Sequence, residues 1–143
     1  MEPILKNTKV MKFLGYTAAA TSDPATTEID CLGYTSAFVF LSIGTVTDTA
    51  DLTVTVKGSN TVSGASAGTA LSGASIVRTG MTNTAHSNTA LAIDIATLGY
   101  RYIYVFVDRG TANTVIESGH VFLYNGKAAP AALSAIKSDA VMA

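Results

Sequence analysis

Residues 32–44 read LGYTSAFVFLSIG, and residues 98–110 read LGYRYIYVFVDRG. The two stretches align without a gap at an offset of 66 positions. Both open on Leu-Gly-Tyr, share a central Val-Phe and close on Gly. Aromatic residues fall on aromatic residues, Phe38 on Tyr104 and Phe40 on Phe106. The glycine marks a turn, and the run after it alternates with period two. Ala37, Val39, Leu41 and Ile43 form one face, matched by Ile103, Val105 and Val107. The other faces carry Phe38 with Phe40, and Tyr100, Tyr102 and Tyr104 with Phe106. A helix would need a period near 3.6, so the repeated unit is a turn followed by a β-strand. A third Leu-Gly-Tyr, at residues 14–16, stands outside any long alignment.

Working outward, the same alternation predicts strands at about 9–17, 27–32, 35–43, 51–57, 74–79, 89–95, 100–108 and 114–124. Leu52, Val54 and Val56 oppose Thr53 and Thr55; Leu91, Ile93 and Ile95 share one face. About eight short strands separated by turn residues predict an all-β fold, an antiparallel β-sandwich or jelly roll. The expected organisation is one domain over 10–125, with an N-terminal arm at 1–9 and a C-terminal arm at 126–143. The tail has weak helical potential after Pro130. From Gly58 to Ile93 the only Asp, Glu, Lys or Arg is Arg78. That stretch is too bland to fill a core and reads as a long flexible loop around the weak strand at 74–79. Ordering it would cost roughly 1–2 kcal/mol of backbone entropy per residue, which packing must offset.

Only 13% of the residues are charged and the formal net charge is −1. Binding to phosphate backbones or anionic lipid needs a basic patch, so neither nucleic acid nor a membrane surface is expected as a partner. No apolar run approaches a membrane span, and the N-terminus lacks the pattern of a secretory signal. The single cysteine, Cys31, is expected to be a reduced, partly buried small hydrophobe. Asp48 and Asp51 lie in a Thr-rich turn without the spacing of a calcium loop. Asp94, and Asp108 beside Arg109, are carboxylates that read as turn, edge or ion-pair residues. His86 and His120 have no ligand spacing around them, so no metal site is expected. No nucleophile elbow or phosphate loop is present either. The residues predict neither an enzyme nor a cofactor.

Strands with two apolar faces need cover on both. One source of cover is an arm or loop of the same chain; the other is a neighbouring subunit, since Tyr and Phe are enriched in interface cores. The expected assembly interface comprises Phe38, Phe40, Tyr100, Tyr102, Tyr104 and Phe106, together with Ile4 and Leu5 of the N-terminal arm.

The run from Asp30-Cys31-Leu32-Gly33-Tyr34 to Gly44, the Lys57-Gly58-Ser59-Asn60 turn, and the segment from Asp94 through Arg101-Tyr102 to Val105 resemble a group of tailed-bacteriophage structural proteins. These are capsid decoration, or cement, proteins. The turn departs from that group's acidic form. The resemblance covers about residues 28–108 and implies a jelly-roll or sandwich domain on the outside of a virion. It implies binding at junctions of the major capsid protein, often as a trimeric homo-oligomer, and no catalytic residues. Two other readings stand beside it. One is a different virion component, such as a tail-tube, fibre or head-completion protein. The other is a carbohydrate-binding β-sandwich using Tyr100, Tyr102 and Tyr104 as a stacking platform.

Overall fold

A computed structural model describes residues 7–127. Ile4 and Leu5 lie outside the described residues, as do most of both expected arms. The described chain forms nine strands: β1 (Lys9–Leu14), β2 (Thr17–Ala20), β3 (Ile29–Asp30), β4 (Tyr34–Val46), β5 (Ala50–Ser59), β6 (Thr69–Met81), β7 (Thr89–Ile95), β8 (Tyr102–Gly110) and β9 (Thr114–Gly126). A single helical turn, α1 (Asn83–His86), joins β6 to β7. One sheet runs β1-β9-β4-β7, with β2 also on β9; the other runs β3-β8-β5-β6. All pairings are antiparallel. Apart from β5 to β6 and the step from β1 to β2, each connection between successive strands crosses to the opposite sheet. This winding is that of an eight-stranded jelly roll, with β2 as an added short strand.

The sequence repeat is also the structural repeat. Strand β4 is flanked on both sides in one sheet, and β8 in the other. Each then turns a corner, at 47–49 and 111–113, and its successor joins the opposite sheet. Thus β4 pairs with β9 while β5 pairs with β8. Corner residues Thr49 (φ 72°) and Thr111 (φ 63°) are both left-handed, and Thr47 N–H donates to the Asn113 carbonyl at 2.9 Å. The aliphatic rows predicted for the two repeats point inward. Ala37, Val39, Leu41 and Ile43 join Ile103, Val105 and Val107 in one core, none more than 2% exposed. Burial of each larger side chain contributes roughly 1.5–3 kcal/mol.

Three readings of the sequence are corrected by the fold. The single strand expected at 9–17 is two strands. The chain breaks at Gly15-Tyr16, the register on β9 shifts, and Tyr16 is left exposed. The Gly58–Ile93 stretch is not a long loop. Thirteen of its residues form β6, an edge strand on β5, and β7 follows α1. Its blandness has another outlet: from β6 only Ala74 and Met81 are fully buried. Finally, Tyr100 is not on the sheet face of β8, which begins at Tyr102. Gly99 (φ +69°) turns the chain, and the Tyr100 ring packs over Gly58, where a Cβ would lie 2.4 Å from ring carbon Cδ2.

Arg109 occupies an inward position of β8 and is only 4% exposed. Its guanidinium donates to the carbonyls of Ser22 (2.7 Å), Ala18 (2.9 Å) and Thr114 (2.8 Å). Its backbone N–H donates to Asp23 Oδ1 at 3.0 Å. Burial pulls its pKa below the ordinary guanidinium value, opposed by the nearby Asp23 charge. It stays protonated regardless, because the free guanidinium titrates so high. The residue therefore pins the β2 segment and the 21–24 bend to the start of β9. Replacement of Arg109 by Met should lower unfolding free energy by about 2–4 kcal/mol, because buried carbonyls lose their donors. Chemical denaturation checks this, and an unchanged midpoint would contradict it.

Candidate interaction surfaces

The aromatic residues expected to form one interface occupy three separate places. On the outer face of the β1-β9-β4-β7 sheet, cross-strand rows read Val10–Phe122–Phe38–Asp94 and Lys12–His120–Phe40–Ala92. The Phe38 and Phe122 rings tilt at 59° with centroids 6.0 Å apart. Beside them Asn7, Thr8, Tyr124 and Asn125 complete an apolar cleft of about 450 Å³. Tyr124 O–H donates to Asp94 Oδ1 at 2.5 Å, which raises the Tyr124 pKa.

On the opposite outer face, Tyr102, Tyr104 and Phe106 succeed one another on β8. Their neighbours on β5 are Ser59, Lys57 and Thr55. Lys57 Nζ lies 4.8 Å from the Phe106 ring centroid, and the Arg101 guanidinium 4.9 Å from that of Tyr102. Exposed cation–π contacts of this kind contribute about 0.5–1 kcal/mol each. These aromatic residues on both faces are half-buried, with the described residues folded.

The third place was not legible as a surface in the sequence. At one end of the sandwich the two Leu-Gly-Tyr turns meet. Cys31 N–H donates to the Arg101 carbonyl at 2.7 Å, and Leu98 N–H to the Thr35 carbonyl at 2.9 Å. Between them lies a hollow of about 400 Å³, lined among others by Tyr34, Tyr100, Asn60, Arg101 and Lys127. Gly33 (φ +89°) and Gly99 (φ +69°) both adopt the left-handed conformation that a side chain would strain. The two leucines diverge: Leu98 is 3% exposed and Leu32 is 66% exposed. The repeat of the tripeptide was the available signal, but burial of one leucine and exposure of the other depends on tertiary packing.

Loop order around these surfaces comes from carboxylates accepting backbone N–H groups. Glu28 accepts from Ser63 N–H (2.7 Å) and Ala65 N–H (2.8 Å), holding the Gly/Ser-rich turn after β5. Asp48 accepts from Asn83 N–H at 2.7 Å, and Asp51 from Gly80 N–H at 2.8 Å and from the Thr111 hydroxyl. Thr111 and Gly80 together hold the Asp51 carboxyl below the usual range. Asp30 receives a two-pronged contact from Arg101 at 3.0 and 3.1 Å, which lowers its pKa. Of the two histidines, His86 Nδ1 accepts from Thr82 N–H at 3.0 Å, and His120 pairs across from Phe40. Among the described residues, no group of three or more His, Cys, Asp or Glu side chains could hold a metal ion. Nor is any described helix long and apolar enough to cross a membrane.

Fold and surfaces define a jelly-roll β-sandwich with aromatic outer faces. The chain matches no protein-family model, and neither a curated protein nor a solved structure is significantly similar to it.

Cys31 is 2% exposed, and burial, reinforced by the Asp30 charge, pushes its thiol up to about 12. The neutral thiol is therefore the native form. The stability linked to it is complete below the unfolded-state value near 9 and is lost as the pH climbs through 12. Alkylation by iodoacetamide at pH 8 should be at least about a thousandfold slower in the native chain than in urea, on thiolate fraction alone. Equal rates in the two states would show that the thiol is accessible and unshifted.

Proposed function

We propose that this chain is a non-enzymatic virion structural protein that decorates a phage capsid and stabilises it at junctions between major capsid subunits. The supporting observation is a two-sheet β body that carries half-buried aromatic rows on both outer faces. A decoration protein touches neighbours on several sides, and rigid aromatic rows are low-entropy material for such contacts. The polar inventory fits a structural role as well: Glu28, Asp30, Asp48, Asp51 and Arg109 are committed to holding loops. In this reading the sheet faces join copies of the chain into a homo-oligomer, a trimer being the favoured form. The Leu-Gly-Tyr resemblance supplies the head location. A tail or fibre component shares the fold argument and differs in copy number.

The deciding measurement is the abundance of this chain relative to the main shell protein in purified particles, by quantitative mass spectrometry. A ratio near one-to-one is expected. A ratio far lower would move the chain to tail, fibre or vertex. Absence from particles would overturn the proposal and leave glycan binding through Tyr102 and Tyr104 as the reading to test.

A further inference from the structure

We infer that the end of the sandwich carrying both Leu-Gly-Tyr turns is the surface that docks on the shell, and that its partner is a protein surface presenting carboxylates around an apolar recess. The inference rests on the decoration reading and adds the attachment site to it.

Connectivity brings both ends of the described chain to this end of the sandwich. Strand β1 begins at Lys9, opposite Leu123, and β9 finishes at Gly126, opposite Tyr34. Residues 1–6 and 128–143 are therefore both joined to the body here, beside the hollow that Lys127 lines.

Two of the four large exposed hydrophobics among the described residues also lie here. Leu32 and Val62, each 66% exposed, sit on turns whose backbones are fixed. Leu32 N–H donates to Asp30 Oδ1 at 3.0 Å, Tyr34 N–H to the Cys31 carbonyl at 3.0 Å, and Lys127 N–H to the Gly33 carbonyl at 2.7 Å. Glu28 holds Ser63, next to Val62. An apolar knob on an already ordered turn loses little entropy on docking, which favours its use at an interface.

Charge selects the partner. Arg101 and Lys127 line the hollow and Lys9 is near enough to act on Asp30, while the carboxylates at this end, Asp30 and Glu28, are engaged by Arg101 and by the Ser63 and Ala65 N–H groups. The opposite end carries Asp23, Asp48, Asp51 and Asp108 against the exposed Arg78, while its Arg109 is buried. A surface with carboxylates is attracted to the first end and repelled by the second.

The test uses the full chain and purified shells assembled from the main shell protein without it. Leu32→Asp combined with Lys127→Glu alters two exposed side chains outside the core. Asp108→Lys alters an exposed residue toward the other end. Thermal melts establish that both variants are folded. The double variant is expected to bind shells at least about tenfold more weakly than the unaltered chain, and Asp108→Lys to bind at least as well. Unimpaired binding by the double variant overturns the docking assignment, as does equal loss in Asp108→Lys. A change in the oligomeric state of the free double variant would assign this end to contacts between copies and also overturn it. If the unaltered chain fails to bind shells, the decoration reading itself falls.

Discussion

The structure depends on the packing of the β4 and β8 inner rows in the core between the sheets. Each strand is flanked by partners in its own sheet, and each inner row is almost wholly removed from water. Because side chains alternate, burying Ala37, Val39, Leu41 and Ile43 commits Phe38 and Phe40 to the outer surface. Burying Ile103, Val105 and Val107 commits Tyr102, Tyr104 and Phe106 in the same way. The aromatic outer faces follow from the core together with the aromatic residues placed between its members. A one-residue slip in either strand would exchange the two rows and put rings into a space sized for aliphatic side chains.

The duplicated strand–corner–strand unit explains how a chain with few charges and small side chains closes a jelly roll. Each copy supplies one central strand and one strand of the opposite sheet, so the two units brace each other across the core. Weaker elements attach to this frame. The edge strand β6 buries little of itself and is held by its pairing with β5 and by contacts at its ends. Carboxylates do much of the remaining ordering: Glu28 fixes one Gly/Ser-rich turn, Asp51 holds the end of β6 and Asp48 the first residue of α1. This arrangement offsets the entropy of ordering residues that have no large apolar side chains to bury.

The two ends of the sandwich have different characters although the repeat relates parts of them. One gathers both Leu-Gly-Tyr turns, two exposed aliphatic residues and an excess of cations around a hollow. The other gathers the corners, several aspartates and the buried Arg109 pin.

Period-two alternation was enough to determine the all-β class, the two repeat strands with their aliphatic rows and the strand at 89–95. These features are local: a pleated strand with one buried face writes its register into every second residue. Tertiary structure decided what alternation does not encode. The break at Gly15-Tyr16 comes from a register shift on β9. The exit of Tyr100 from the sheet comes from its packing over Gly58. The strand at 69–81 owes its existence to a partner and not to its own apolar residues. The unlike fates of Leu32 and Leu98 show the same division. Identical tripeptides enter equivalent strands, but one leucine meets the core and the other meets solvent, because burial is a property of the neighbours and not of the sequence at the site.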